Sequence, residues 1–382
     1  MKIGQFCETY PPMLDGVGKV MLAYCETQIA LGQDCYYVSP RNSRYKDYEP
    51  VVPTVLYPGF PVPTQPYCAG FPHRSPRFLK KLEDMHFDVV HAHGPFFAGR
   101  AARVIARRQG IPLVSTFHSK YYDDFLRFTH SKTVSRLMLK YIVAFYNSCD
   151  EVWTLNEGTS EVLREYGYKG PIVIMPNGTD VYPITRERID ECLKEFPIRE
   201  GLPVFLFVGQ IDHKKNIDNI LEACRILRNQ GHDFEMLLVG QGADMNFFMK
   251  LIASYGLTEC VHFLGFIGDQ DKLHAIYDRA DLLVFPSLYD TAGMVVREAA
   301  TMGTPPLLIR GSCAADGVTH GENGYLCDNT AEDIAAQMWN ALPTLRETGK
   351  RAGETIPIAW PEIMKRVLNR YAELVEMKKK DR

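Results

Sequence analysis

Short apolar runs alternate along this chain with longer stretches in which apolar residues recur at helical spacing. "KIGQFCE" reads as a strand, "VGKVMLAYCETQIALG" as a helix closed at Gly32, and "DCYYVS" as the next strand. "FDVVHAH", "IPLVSTFHS", "DEVWTL" and "GPIVIMPNG" follow, separated by helical stretches such as Gly99–Arg108 and Val134–Cys149. The pattern restarts at "LPVFLFVGQ" and runs through "FEMLLVGQG", "VHFLGF", "DLLVFPS", "TPPLLIR" and "GYLCDN". Such alternation predicts a parallel sheet wrapped by helices in each half, an α/β class with two doubly wound domains facing a central cleft. The expected boundaries are 1–182 for the first domain and 203–358 for the second. Residues 183–202, polar and proline-bounded, read as a linker. The last amphipathic helix, within 359–382, is expected to pack back on the first domain. Ligands of such sheets sit beyond the carboxyl ends of the strands, so motifs there carry the first weight.

Composition changes this picture little. At 382 residues, 46% apolar and 23% charged, the chain suits two globular cores. No run approaches eighteen apolar residues, so no membrane span is expected, and the amino-terminal residues start a strand rather than a signal peptide. The ten cysteines show no C-x-x-C or zinc spacing and read as buried thiols in a reducing cytoplasm. Charge is more informative. Residues 1–180 carry a net +3 and the remainder −6, and between positions 100 and 140 nine basic residues face two acidic ones.

The stretch "FPSLYDTAGMVVREAATMG" joins a buried strand to a helix expected to begin near Met294. Backbone amides around Ala292, Gly293 and Met294 would then lie at a helix start, a seat for phosphate or sugar oxygens. Asp290 can accept hydrogen bonds from sugar hydroxyls, and Glu298, a turn into the helix, can accept both hydroxyls of a ribose. A bland alternative has Asp290 capping the helix and Glu298 solvated. In "VGQIDHKKNIDNILEA", Lys214 and Lys215 follow a strand that ends at Gly209, where an ammonium suits a diphosphate. In "YPPMLDGVGKV", Gly16 and Gly18 are placed in a loop feeding a helix, where backbone could approach a phosphate. Met13 and Val20 exclude a P-loop.

His118 ends one strand and reads as a ligand-contacting residue; His91 and His93 end another and read as cleft wall. No third and fourth ligand stand at metal spacing near them, so no metal is expected. "GQGAD" (240–244) puts Met245 where a dinucleotide fingerprint needs glycine. In "DQD", Asp269 and Asp271 precede a helix, and capping explains them better than metal; Asp123 and Asp124 lack supporting ligands. Arg100, Arg103 and Arg107 recur at helical spacing, as do Lys132, Arg136 and Lys140. Val134, Leu137, Met138, Tyr141, Ile142 and Phe145 are expected to form the opposite, core-like stripe. Lys120, Tyr121 and Arg127 lie between these helices. The basic face fits anionic lipid headgroups, at roughly 1 kcal/mol per basic residue, or is a solvated surface; no groove-reading module argues for nucleic acid.

These stretches together resemble the retaining glycosyltransferases of family 4, which have the GT-B fold of two Rossmann-like domains. The resemblance spans nearly the whole chain, from "DGVG" and "TFHSKY" through "PNGTD" and "VGQIDHKKNID" to "FPSLYDTAGMVVREA" and "GENGYL". "PGFPVPTQPYCAGFP" and "TFHSKYYDDF" are similar to bacterial diacylglycerol glucosyltransferases of that family. The resemblance implies that Glu298 holds the ribose of a nucleotide-sugar and that Asp290, with the backbone of Ala292, Gly293 and Met294, grips the sugar. It implies further that Lys215 neutralises the leaving diphosphate, that Gly16–Gly18 approach it, and that His118 contacts the donor sugar. Two positions depart from the family: Asp290 stands where Glu is usual, and Gln210 where Arg is usual, with Lys214 available to compensate. The expectation is a cytoplasmic, metal-independent, retaining hexosyltransferase. It would use no cofactor, take UDP-glucose or a relative as donor, and act on a membrane lipid such as diacylglycerol at the inner face of the membrane. The alternatives are a soluble acceptor, a nucleotide-sugar epimerase, and a non-catalytic nucleotide-sugar-binding protein.

Overall fold

Runs such as "VVHA" and "LLVF" are buried at every position, and only a parallel sheet covered on both faces buries four successive residues. In the computed structural model, which describes residues 1–9, 16–45, 47–62 and 67–380, these runs form two sheets. The chain divides into two units, Met1–Gly178 with Trp360–Arg382, and Thr179–Ala359.

The first unit runs β1 (Lys2–Phe6), α1 (Gly16–Ala30), β2 (Asp34–Pro40), β3 (Thr54–Tyr57), β4 (Phe60–Pro61), β5 (Cys68–Ala69) and α2 (Pro76–Glu83). It continues with β6 (Val89–Ala92), α3 (Phe97–Gln109), β7 (Leu113–Thr116), α4 (Tyr121–Thr129), α5 (Lys132–Tyr146), β8 (Glu151–Thr154), α6 (Glu157–Glu165) and β9 (Ile172–Ile174). The main sheet is parallel in the order β3-β2-β1-β6-β7-β8-β9, and β4 and β5 form a separate antiparallel ribbon. Strand order reverses between β1 and β6, the point where ligands of doubly wound sheets collect. Local chemistry sets the helix ends: Ser131 Oγ accepts from Val134 N to start α5, and Gly110, at φ 63°, closes α3.

The second unit holds α7 (Arg186–Leu193), β10 (Val204–Val208), α8 (Ile217–Asn229), β11 (Glu235–Val239), α9 (Met245–Ser254), β12 (Val261–Gly265) and α10 (Gln270–Arg279). Then come β13 (Leu282–Phe285), α11 (Met294–Thr301), β14 (Pro306–Ile309), β15 (Tyr325–Cys327), α12 (Ala331–Asn340) and α13 (Leu345–Thr355). Its parallel sheet is ordered β12-β11-β10-β13-β14-β15 and reverses between β10 and β13.

The segment 183–202 is not a bare linker. Thr185 Oγ1 caps α7, whose Ile189 and Cys192 are buried with Ala275 of α10, while Arg188 pairs with Asp271 and Arg186 with Asp278. Ile189 and Cys192, three apart, with Leu193 packed beside them dock a helix whose other positions are charged, which is why the stretch reads as polar.

The closing helix α14 (Trp360–Lys380) belongs to the first unit. Its Tyr371 stacks on Trp153 at 5.3 Å, and Arg370 donates from Nε to both oxygens of the buried Glu151 at 3.1 and 3.0 Å. Gly178 passes so close to Trp360 that a Cβ would collide with the indole. All ten cysteines are free thiols, nine of them buried. No described helix is long and apolar enough to cross a membrane.

Candidate functional site

In the second unit the chain turns sharply at the carboxyl ends of β10 and β13, and the two turns meet. Asn216, held left-handed at φ 63°, donates from Nδ2 to the Pro286 carbonyl at 3.1 Å, tying the turn after β10 to the end of β13. Lys215 then lies against Asp290, its Nζ 2.8 and 2.7 Å from the two carboxylate oxygens. The pair is only partly exposed, 12% and 23% by side chain, so it is screened less than a surface pair. The Tyr289 ring lies beneath both lysines, 4.4 Å from Lys214 Nζ and 5.6 Å from Lys215 Nζ.

Helix α11 begins at Met294 because Gly293 adopts φ 55° as its cap. A Cβ there would also press to 3.1 Å on Ala314 and Val296, so the position accommodates glycine. Glu298, one turn in, accepts from the Tyr277 hydroxyl at 3.0 Å. Burial, and then the neighbouring Glu298, pushes the Tyr277 phenol well above its ordinary value, so it stays a donor. Gln210 is exposed beyond β10.

The "GQGAD" loop supports this site from behind. A Cβ on Gly240 or Gly242 would collide with the backbone of Gly209 or Ile211, and Ile211 N donates to Gln241 O at 3.1 Å. Asp244 Oδ2 accepts from His213 N at 3.2 Å. These glycines permit close approach of two loops and brace the lysine turn. Asp269 caps α10 and Asp271 bonds Tyr182 and Arg188. Among the described residues no three His, Cys, Asp or Glu side chains converge as metal ligands would.

The first unit places its histidines differently from the expectation. His91 and His93 are fully buried, 0% and 2% exposed, rather than walls of a cleft. His91 bonds Tyr371 at 2.5 Å and Thr116 at 2.8 Å because Tyr371 of α14 covers the strand ends. His93 bridges Gln5, at 2.8 Å, to His118, at 3.0 Å. His118 is 7% exposed, and burial lowers its pKa to about 3, so it is neutral at physiological pH. Gly16 and Gly18 lie inside the first turn of α1, not in a loop; residues 10–15, Met13 among them, fall outside the described ones. Glu8 Oε1, after β1, accepts from Ala98 N at 2.7 Å and thereby caps α3.

The basic face is also rearranged. Tyr121 is buried, stacked on Phe125, because residues four apart on α4 both point into the core. Arg100 lies over the Tyr141 ring of α5 at 3.9 Å and Arg103 reaches Ser148 in the turn after α5, so these two arginines serve contacts within the unit. Lys132, Arg136, Lys140, Arg127 and Arg107 are exposed, and Lys120 partly so. The stripe expected to be core is split: Ile142 and Phe145 are buried, whereas Val134, Leu137 and Tyr141 are 43%, 59% and 54% exposed. The buried face runs through Ser135, Leu139, Ile142, Val143 and Tyr146 instead. Apolar residues surround so much of α5 that periodicity alone does not choose the inward face. Exposed leucine and tyrosine therefore share the outer surface with Arg136 and Lys140, and Phe128, 83% exposed, sits at the end of α4.

Comparison with known proteins follows this geometry. Residues 14–182 match the family model Glycosyltransferase Family 4, and residues 189–355 match Glycosyl transferases group 1. An alpha-monoglucosyldiacylglycerol synthase of Acholeplasma laidlawii is 26% identical, covering 87% of this chain and 86% of that protein. One of Streptococcus pneumoniae is 24% identical, covering 80% and 70%. Among solved structures, a sucrose-phosphate synthase of Thermosynechococcus elongatus superposes with TM-score 0.81 at 20% identity, covering 98% and 99% of the two chains. The Anabaena protein HepE, in complex with UDP and glucose, superposes with TM-score 0.75 at 17% identity, covering 97% and 99%. At these identities the structures establish the fold.

Proposed function

The chain belongs to glycosyltransferase family 4 and has the GT-B fold, and from that premise we propose that it moves a hexose, glucose first among them, from a UDP-sugar to a hydroxyl of a membrane lipid such as diacylglycerol. The observation that carries the reading is the Lys215–Asp290 pair, set beside the start of α11 with Glu298 braced by Tyr277. Breaking the bond between a sugar and a nucleoside diphosphate puts positive charge on the sugar and negative charge on the departing phosphate. In this reading the diphosphate exchanges with Asp290 for Lys215, with Lys214 alongside. The freed carboxylate takes the sugar hydroxyls together with the backbone of Ala292, Gly293 and Met294. Glu298 accepts the two ribose hydroxyls, and His118 contacts the donor sugar. Gln210 in place of the family's Arg leaves the two lysines to carry the cationic role.

Transfer proceeds with retention and without a metal. The acceptor attacks on the face the diphosphate leaves, and a phosphate oxygen takes its proton. The lipid acceptor is supported by α5, whose exposed Leu137 and Tyr141 beside Arg136 and Lys140 pair apolar contact with attraction to anionic headgroups. The protein would lie peripherally on the cytoplasmic leaflet.

The test is transfer from UDP-glucose to diacylglycerol in phosphatidylglycerol vesicles, with product mass and anomeric configuration determined. An α-linked glucolipid is expected; transfer only to water-soluble acceptors, with no vesicle binding at low salt, would overturn the lipid assignment. Glu298→Ala is expected to abolish UDP binding in calorimetry, and undiminished affinity would remove the ribose assignment.

A further inference from the structure

Two stretches of the first unit contain no acid at all: none stands between Glu49 and Glu83, and none between Asp88 and Asp123. The fold joins them where the turn Pro72–Arg74 packs on the start of α3. There the His73 ring stacks on Phe97 at 6.0 Å with a 5° tilt, and Phe71 meets Phe97 edge-on at 5.0 Å. Arg74 lies over the Phe71 ring at 5.9 Å, while Arg100 and Arg103 follow Phe97 along α3 at three-residue steps, each beside the one before. Arg100 and Arg103 are half-buried and Arg74 is exposed. None of the three has a carboxylate partner among the described residues. Arg100 has the Tyr141 ring and Arg103 has the Ser148 hydroxyl, whereas Glu83, Asp84 and Asp150 pair with Arg108, Lys80 and Lys378.

The gathered charges act on their surroundings. Burial first, and then the charges of Arg74, Arg100 and Arg103, lower the His73 pKa, so that ring is neutral at physiological pH and adds no fourth cation. Burial, and then Arg103 against the opposing pull of Tyr141, lowers the pKa of Arg100. Like charges collected in a half-buried place repel until an anion joins them, and a guanidinium fork matches the oxygens of phosphate two at a time.

We propose that Arg74, Arg100 and Arg103 form a binding site for one phosphate group, carried either by a phospholipid headgroup or by a soluble phosphate ester. The exposed Phe60 and Phe71, whose ring centres are 5.8 Å apart, offer the rest of that ligand apolar contact beside its phosphate. The site belongs to the first unit alone and uses neither the donor residues of the second nor the exposed Arg136 and Lys140 of α5. A diffuse basic face attracts any anion according to its charge. Three guanidiniums grouped around Phe97 and His73 instead select a centre that presents several oxygens at once.

The experiment is arginine modification of the full chain by phenylglyoxal, followed residue by residue through mass spectrometry of its peptides. Three probes are compared: inorganic phosphate, glycerol 3-phosphate, and dihexanoyl phosphatidylglycerol kept below its micelle concentration, so that no membrane surface covers the protein. Binding slows modification by the factor 1 + [L]/Kd, so Arg74, Arg100 and Arg103 should react about fivefold more slowly at roughly four times Kd. Arg107 and Arg136, exposed on α3 and α5, should keep their rates. Protection at lower concentration by the lipid assigns the site to a headgroup, and protection at lower concentration by glycerol 3-phosphate assigns it to a soluble ester. Equal slowing of Arg107 and Arg136 would be general screening and overturns the proposal, as does unchanged reactivity of the three arginines with every probe. Neither result needs a variant to fold. In Arg100→Gln/Arg103→Gln, Arg74 should lose its protection; if it stays protected, the three do not share one ligand and the site is refuted.

Discussion

The two units use polar residues in opposite ways. In the second, the candidate chemistry is charged, partly exposed and local to two turns: Lys215, Asp290 and Glu298 sit just beyond the ends of β10 and β13. In the first, it is neutral and buried: Gln5, His91, His93 and His118 are at most 7% exposed and tied to Tyr371 from the far end of the chain. A charged, half-open site can release its internal partner to a ligand at small cost. A buried neutral network holds a geometry and resists change, because each unmade bond inside it costs a full desolvation.

The largest effect expected from this contrast is on stability. Glu151→Ala in the first unit leaves the buried Trp153 indole N–H without its partner and Arg370 with Glu373 alone, and should cost about 1–3 kcal/mol, as leaving a buried donor unsatisfied does. Urea unfolding followed through tryptophan fluorescence would measure it, and a loss below ~1 kcal/mol would erase the distinction between the units. Lys215→Ala should behave in the converse way. Stability should shift by less than in Glu151→Ala, while sugar transfer falls by about 100- to 1,000-fold, the scale of one lost donor to a developing anion. Steady-state kinetics beside the same unfolding measurement would separate the two.

The smallest effect is the sharpest in sign. Burial sets the folded pKa of His118 to about 3, below the ordinary value near 6.5. Between those values the unfolded chain binds the proton and the native unit does not, so the contribution is whole above pH 6.5 and declines as the pH falls toward 3. His91 and His93 act in the same direction. His213 of the second unit is opposite: its hydrogen bond to Asp218 raises its pKa, so its contribution is whole below pH 6.5 and is lost as the pH rises through the folded value. Calorimetric melts at pH 7 and pH 5 should therefore show the first unit weakening on acidification, and His118→Gln should flatten that dependence.

What the sequence disclosed follows from the range of the forces involved. Parallel strands were legible because a strand buried on both faces is a contiguous apolar run, and the start of α11 was legible because glycine after an acid marks a turn. Both signals are local. Tyr277 and Glu298 lie 21 residues apart and Gln5 and Tyr371 366 apart, and no spacing rule joins such pairs before the chain folds. The inward face of α5 was illegible for another reason: Val134, Leu137 and Tyr141 look like core until the neighbours that could cover them are known. The segment 183–202 hid a helix because just three of that helix's eight residues, Ile189, Cys192 and Leu193, are apolar.

The return of α14 to the first unit has a consequence for biogenesis. Glu151 waits for Arg370, Gln5 and His91 wait for Tyr371, and Trp360 must settle on Gly178. During translation the first sheet can collapse early, but its polar interior stays unmatched until some two hundred further residues have left the ribosome, those of the second unit among them. A helix made after the second unit therefore completes the unit made before it, and a chain interrupted before Trp360 would hold the histidine chemistry without the lid that orders it.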